Sequence, residues 1–260
     1  MNRDWNPRLL TALKIGTPVV LIALWWVLSA GSKNFFFPPL SKILDAFAST
    51  WLGPVFASDV LPSLARLAVG YLLALVIGIG LGSVIGTWPR VRQFIEPVLE
   101  FFRAIPVPVL VPILMLFAGI GDTMKIIVVA IGAVWPVLLN TIEGVRGVDE
   151  VLHETSTVYR MSRRRRITHL VLPGASPQIM AGARQALSLA IIVMVISEMF
   201  AASNGLGFKI LQFQQNFAIA EMWSGVLLLG LVGVVLASLF RVVEAVVLRW
   251  HEGIRKAERN

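Results

Sequence analysis

Arg66, Arg184 and Glu198 are ionisable residues that lie within long apolar stretches of this sequence. A charge inside an apolar segment is costly and usually pairs with another charge or faces water, so each is a candidate functional residue. Around two of them, residues at three- and four-residue steps share one helix face: Arg184, Ser188, Ile191, Val195 and Glu198. This face predicts a helix beside a water-accessible solute route. The alternative is that Arg184 reaches toward lipid headgroups and Glu198 belongs to a structural pair.

Arg66 is assigned to the same route because it is expected at a depth similar to that of Glu198. Each residue lies near the outer end of its apolar stretch. We therefore predict that Arg66 and Glu198 form an ion pair.

Other chemistries find little support in the residue types. The chain has no cysteine, and its three histidines, His153, His169 and His251, are scattered without metal-ligand spacing. It contains no G-x-x-x-x-G-K-[ST] phosphate-binding loop, so we predict that this chain neither hydrolyses ATP nor binds a cofactor itself. No His, Asp, Glu or Ser constellation converges near one membrane surface, which argues against an enzyme.

The 260 residues are 57% hydrophobic and only 15% charged, whereas soluble domains carry about a quarter charged residues. This composition indicates an all-α integral membrane protein. Six apolar blocks predict six transmembrane helices, at about residues 15–30, 64–87, 105–118, 124–142, 177–202 and 222–248. The third block is short and proline-rich, so it requires either upstream residues or a broken helix buried in protein. A signal peptide is the alternative for the first block.

Most of the 23 Lys and Arg residues fall in segments that six alternating spans place on one side. This bias predicts that both termini and the loop at about 144–168 are cytoplasmic. Because topology accounts for the net charge of +8, no nucleic-acid partner is predicted.

Two further patterns concern packing and the outer segments. Small residues recur every four positions in the second block: Gly70, Ala74, Gly78, Gly82 and Gly86. They predict close helix contact within the bundle or, alternatively, at a dimer interface.

Ser41 is predicted to cap a short amphipathic outer helix, and a second short helix is predicted within 209–223. Both are interpreted as interfacial anchors or as a docking surface for an extracytoplasmic partner.

The loop at about 144–168 contains the densest positive charge of the chain. A short amphipathic helix outside the membrane is predicted from residues at helical spacing: Val151, Leu152, Thr155, Val158 and Tyr159. Ser162 is predicted to cap a second helix that begins at Arg163. Four arginines in its first turn oppose the helix dipole, so anionic headgroups or acidic groups of a partner must favour them. Pro173 and Pro177 predict a kinked start of the next span.

This loop resembles the cytoplasmic EAA loop of permease subunits of bacterial ABC importers, which has Glu-Ala-Ala, three residues, Gly, and an apolar-x-Leu-Pro about nine residues later. The matching positions here hold Glu154, Thr155, Ser156, Arg160, Leu172 and Pro173. Two other stretches, "RAIPVPVLVPILMLFAGIGDTMKI" and "SEMFAASNGLGFKI", are similar to segments of the sulfonate, nitrate and taurine branch. The resemblance covers about residues 63–217 and the six-span plan.

The resemblance implies the type I ABC importer permease fold in the bacterial inner membrane. Residues 1–62 would hold an N-terminal tail, the first helix and an outer helix, 63–250 a five-helix core, and 251–260 a basic cytoplasmic tail. It implies a homodimeric pore with two ATPase subunits, which hold ATP and Mg²⁺, and an extracytoplasmic binding protein that delivers a small, anionic solute. The ATPase-coupling segment would comprise Val151, Leu152, Glu154, Thr155, Ser156, Val158, Tyr159, Arg160 and Ser162. The alternative function is a gradient-driven secondary transporter.

Arg160 is the main departure from the family pattern. Glycine at this position supplies a tight turn between two short helices, whereas arginine does not readily adopt a positive φ. The sequence therefore predicts that the turn is remade at Met161–Ser162 or that the helix continues through Arg160. The two family alanines are replaced by Thr155 and Ser156, which is a small change in size.

Overall fold

A computed structural model describes residues 7–200 and 202–250, and every regular element in these two ranges is a helix. The helices are α1 (Pro7–Ser29), α2 (Leu40–Trp51), α3 (Leu61–Thr87), α4 (Pro89–Arg103), α5 (Val107–Ala118), α6 (Asp122–Arg146), α7 (Glu150–Val158), α8 (Arg163–Arg166), α9 (Leu172–Phe200), α10 (Leu206–Gln215) and α11 (Ile219–Val247). The all-α prediction is therefore confirmed for this part of the chain. The basic tail predicted at 251–260 lies outside the described residues.

Four helical stretches in the described ranges are long and apolar enough to cross a membrane: Phe56–Thr87, Asp122–Arg146, Arg163–Phe200 and Ile219–Val247. A fifth crossing requires α4 and α5 together, and these two helices meet at 91°. The apolar part of α1, Gly16–Ser29, is shorter than the other four. The predicted count of six spans is therefore not established, and the predicted domain boundaries stay predictions.

The bend between α4 and α5 explains why the third apolar block is short. Ile105 precedes Pro106, and a residue before proline disfavours helical backbone angles, so α5 begins only at Val107. Upstream, α4 is a helix that the sequence pattern did not predict, because charged residues interrupt its apolar ones. Three apolar residues spaced four apart hold it on α3 and α6: Val91, Ile95 and Leu99.

The centre of the bundle is a close seam between α3 and α6. A Cβ atom added to Gly70 would lie 2.7 Å from Cβ of Val129, and one added to Gly78 would lie 2.7 Å from Cβ of Val137. Between these two contacts, Ala74 is fully buried in the same core cluster. The small-residue stripe therefore serves close packing within the bundle, where helix backbones approach each other, and not a dimer interface.

The helix after the loop runs without a break from Arg163 to Phe200. A π-helical turn at Ile167–Val171 widens it just before Pro173, whose ring would otherwise crowd the preceding turn. The helix also passes through Pro177. A wide turn thus lies just before Pro173, and the predicted kink at Pro173 and Pro177 stays a prediction.

The outer helix α2 begins at Leu40 and not after Ser41, so the predicted Ser41 cap is wrong. The Leu40 N–H donates to Ser29 Oγ at 3.1 Å, which satisfies the helix start one residue earlier. At the other end of α2, the buried Trp51 donates from Nε1 to Ser224 Oγ of α11 at 2.9 Å. The Phe213 ring of α10 packs edge-on against Trp51. Both short helices are thereby held on α11.

Candidate partner-docking helix and buried charge cluster

Side-chain caps fix the two short helices of the central loop. Asp149 Oδ1 accepts a 2.9 Å hydrogen bond from the Val151 N–H at the start of α7. The predicted Ser162 cap is present, because Ser162 Oγ accepts a 3.4 Å hydrogen bond from the Arg165 N–H and α8 begins at Arg163. A carboxylate or hydroxyl at this position satisfies an N–H that the helix leaves unpaired. The loop is therefore two capped helices joined by a turn.

Helix α7 exposes its apolar residues. Val158 is 80% exposed and Tyr159, directly after the helix, is 78% exposed; Val151 and Leu152 are exposed as well. Glu154 and Thr155 are also exposed, whereas Ser156 is buried at 2%. An apolar group that stands out from a short helix without cover within its own chain is typical of a contact surface for another molecule. The predicted helix is thus present, and its apolar side is available to a partner.

Arg160 makes the turn after α7 in the left-handed conformation, with φ of 47°. The Met161 N–H donates to the Ser156 carbonyl at 2.9 Å, and the Arg160 N–H donates to the Thr157 carbonyl at 3.0 Å. These two bonds are the Schellman pattern that usually places glycine where Arg160 lies. Both predicted alternatives, a turn at Met161–Ser162 and a continued helix, are therefore wrong. The two hydrogen bonds outweigh the strain of the arginine backbone.

The ends of α6 and α9 that are far from this loop hold a cluster that we call the buried charge cluster, formed by Asp59, Ser63, Arg66, Asp122, Lys125, Glu198 and Asn204. Of these, Asp122 is exposed and Asn204 is half-buried. The predicted ion pair is present: Arg66 Nη1 lies 2.7 Å from Glu198 Oε1, and the two side chains are 3% and 0% exposed. Arg66 also contacts Asp122 Oδ1 through Nη2 at 2.7 Å and donates to Asn204 Oδ1 at 2.6 Å. One guanidinium thus joins α3, α6, α9 and the segment before α10.

The Glu198 carboxylate is surrounded by donors. Besides Arg66, Ser63 Oγ lies 2.7 and 2.9 Å from its two oxygens, and the Gly207 N–H donates to Oε2 at 3.0 Å. A fully buried carboxylate is stable only when its charge and lone pairs are satisfied in this way. Nearby, Asp59 Oδ1 accepts from the Gly205 N–H at 3.0 Å, and Lys125 Nζ lies 3.9 Å from Asp122 Oδ1.

Two glycines allow the chain to approach this carboxylate. Gly205 has φ of 126°, and a Cβ atom there would lie 2.5 Å from the Glu198 carboxyl carbon. A Cβ atom on Gly207 would collide with the Val195 carbonyl oxygen. Only glycine fits either position without displacing α9. The sequence "NGLG" is therefore the part of the cluster that encloses Glu198.

The predicted route residues on α9 do not share one environment. Arg184 and Ser188 are exposed, and Arg184 forms an ion pair with Glu244 of α11. Val195 is half-buried against the α3–α6–α9 core, and Glu198 is enclosed. Within this chain, the half of the face nearer the loop is therefore exposed, and the half nearer the charge cluster is covered.

A groove on the neighbouring face of α9 was missed by the sequence analysis. It has a volume of ≈ 500 Å³ and lies between the α4–α5 bend, α6 and α9. Its polar residues include Arg103, Asn140 and Gln185. The signal in the sequence was the pair of amide side chains, Asn140 and Gln185, within apolar helices. Neither side chain is ionisable, so neither was a candidate in the sequence analysis. Among the residues that the structure describes, no group of three or more His, Cys, Asp or Glu could hold a metal ion.

Known membrane permeases are similar to this chain in sequence and fold. Residues 74–250 match the family described as binding-protein-dependent transport system inner membrane component. The chain is 30% identical to the Bacillus subtilis (strain 168) permease protein SsuC, named for aliphatic sulfonates transport, over 90% of this chain and 85% of SsuC. It is 28% identical to the taurine transport system permease protein TauC of Escherichia coli (strain K12), over 92% and 90% of the two chains. A chain of the inward-facing MetNI methionine ABC transporter has the same fold, with a TM-score of 0.61 and 21% identity, over 75% of this chain and 95% of that chain.

Proposed function

Because the chain belongs to the family of binding-protein-dependent transport system inner membrane components, the multi-pass permeases of ABC transporters, we propose that it is the pore subunit of an ATP-driven importer. Two copies form the pore, and two ATPase subunits, which carry ATP and Mg²⁺, bind at the loop. An extracytoplasmic binding protein delivers the solute. Both termini and the loop are on the cytoplasmic side, as the distribution of basic residues predicts.

Helix α7 is the proposed ATPase contact. The observation that carries this assignment is its exposed apolar side, Val151, Leu152, Val158 and Tyr159, on a helix that is capped at both ends. A capped helix moves as one body, so closure of an ATPase pair around it is transmitted to the spans on either side. Glu154 and Thr155 lie exposed beside the apolar residues and complete the contact, whereas the buried Ser156 anchors the helix to the permease.

Helix α9 is the proposed transmission element. The unbroken 38-residue stretch Arg163–Phe200 extends about 57 Å at 1.5 Å per residue, which exceeds the thickness of a bilayer. It connects the loop to the buried charge cluster at the other end. In our proposal Arg184, Ser188 and Val195 border the solute route, while Arg66 and Glu198 act on that route by holding the far end of α9.

The proposed solute is a small anion. SsuC is named for aliphatic sulfonates and TauC for taurine, and both solutes carry a sulfonate group. The basic residues along the proposed route are Arg184, which pairs with Glu244, and the groove residue Arg103, which pairs with Glu100. The alternative is a gradient-driven transporter, in which α7 has no ATPase to bind.

Replacement of the exposed apolar side of α7 tests the proposal. We expect Val158→Asp with Tyr159→Ala to abolish co-purification of the ATPase and ATP-driven uptake in proteoliposomes, because a charge then replaces the apolar contact with the ATPase. Leu52→Asp is the matched control for co-purification of the ATPase, since Leu52 is 77% exposed but follows α2, outside the loop. A variant of α7 that transports at the wild-type rate would refute the coupling role. Wild-type uptake on a proton or sodium gradient without ATP would refute the importer.

A further inference from the structure

We propose that a groove beside the arginine run binds one anionic phospholipid, with the headgroup phosphate on Arg163 and Arg166 and an acyl chain along α3. The groove has a volume of ≈ 520 Å³ and lies between the last two turns of α3 and the π-helical turn that precedes α9. This size is within the range of ordinary small-molecule sites.

One half of the groove is apolar and open. Ile79 and Val84 of α3 face Ile167 and Leu172 across it. Gly80 lies in the same lining, and a Cβ atom added to it would meet no other atom within 4 Å. An unfilled apolar channel along a membrane-crossing helix has the shape and chemistry of an acyl-chain site.

The other half carries positive charge. Arg163 is exposed and Arg166 is half-buried, and both line the groove beside its apolar residues. Guanidinium groups bind phosphate oxygens through paired hydrogen bonds, so two arginines at the mouth of an apolar channel fit a phosphodiester headgroup. An anionic headgroup also explains how four arginines are tolerated in the first turn of a helix, where the dipole opposes them.

The residues at the mouth of the groove favour lipid over a protein partner. Its lining contains Trp88, directly after the end of α3, and the exposed Trp88 ring is of the type found at the membrane–water boundary. Basic pockets at this level bind anionic headgroups. The exposed apolar residues that suit an ATPase are on α7, outside this groove. The proposal depends on the membrane crossing of α3 and is independent of the ATP coupling.

Native mass spectrometry of the purified full-length protein, titrated with phosphatidylglycerol after detergent exchange, tests the site. We expect Arg163→Gln with Arg166→Gln to weaken phosphatidylglycerol binding about tenfold, while Arg164→Gln with Arg165→Gln, which removes equal charge outside the groove, changes it less than about threefold. Gly80→Leu fills the acyl channel and is expected to weaken binding by a similar factor. Gly233→Leu is its control, because that glycine also faces open space but lies on α11.

Phosphatidylcholine and inorganic phosphate distinguish the two halves of the site. Phosphatidylcholine of the same chain length should bind at least tenfold more weakly, and inorganic phosphate at millimolar concentration should not displace phosphatidylglycerol. The proposed site would be overturned if the two arginine double variants weakened phosphatidylglycerol binding equally. It would also be overturned if Gly80→Leu bound phosphatidylglycerol as tightly as the wild type. Displacement of lipid by inorganic phosphate or by the ATPase would assign the arginines to a soluble anion or to the partner instead. Thermal unfolding of each variant shows that it is folded before it is compared.

Discussion

Replacement of Glu198 by Gln removes one charge from the buried cluster while keeping the shape of the side chain. Glu198 accepts from Ser63, Arg66 and Gly207, and neither member of its ion pair is accessible to water. Removal of one partner from a buried ion pair costs about 3–5 kcal/mol, because the other charge stays buried. Arg66 keeps its contact with Asp122, which is 65% exposed, so we expect the lower end, about 3 kcal/mol.

The assay is thermal unfolding of the purified full-length protein, followed by tryptophan fluorescence from its eight tryptophans. A loss of about 3 kcal/mol should lower the unfolding midpoint by roughly 6–12 °C for a chain of this size. Glu143→Gln is the matched control. Glu143 forms a 2.6 Å pair with Arg146, but both side chains are exposed, so its loss should cost less than about 1 kcal/mol.

A double variant separates charge from packing. Replacing Arg66 and Glu198 together by Met removes both buried charges, so it should be more stable than Glu198→Gln alone. Equal midpoints for Glu198→Gln and Glu143→Gln would refute the argument, since they would show that burial adds nothing to this pair. A double variant that is the least stable of all would show that the hydrogen bonds of the cluster, and not its charge balance, hold the four segments together.

Three further changes test local features. Arg160→Gly should raise stability by about 1 kcal/mol, because glycine adopts the left-handed conformation without steric cost; a lower melting temperature would contradict the strain. Gly78→Leu should prevent recovery of folded protein, because its Cβ would overlap Val137, and normal yield would show that the seam can open. Trp51→Phe should cost about 1 kcal/mol in thermal unfolding, as Ser224 loses one donor but keeps its own bond to a carbonyl; a loss above about 3 kcal/mol would mean that the indole also carries the packing.

The Arg66–Glu198 pair could be predicted because a buried charge has few stable alternatives to an opposite charge at the same depth. The other contacts of this pair could not be predicted. Asp122 and Asn204 enter the cluster from a helix start and from the segment before α10, and their positions depend on how these segments pack. Sequence spacing along one helix carries no information about such contacts.

The errors at Ser41, Arg160 and α4 have a common physical origin. In each case, hydrogen bonds or packing with other residues outweighed a local preference. Ser29 accepts from the Leu40 N–H, so α2 begins before Ser41, and the α7 carbonyls accept from the backbone around Arg160 and hold its turn. Packing on α3 and α6 stabilises α4 despite its interrupted apolar pattern. Helix α7 was predicted well because its signal, the spacing of its apolar residues, is local; its Asp149 cap was not predicted.

The seam between α3 and α6 restricts how the permease can change shape. Small residues recur every four positions on α3, and side chains of α6 pack onto them: Val129, Val137, Thr141 and Val145. The small residues and the side chains that contact them therefore have matching spacing along the two helices. A sliding movement restores this fit only after a full four-residue step, about 6 Å. Smaller sliding forces side chains onto backbone. The pair must therefore tilt as one solid unit. A transport cycle that alternately opens the two sides has to bend at other junctions, such as Trp88 between α3 and α4 or the 91° bend between α4 and α5.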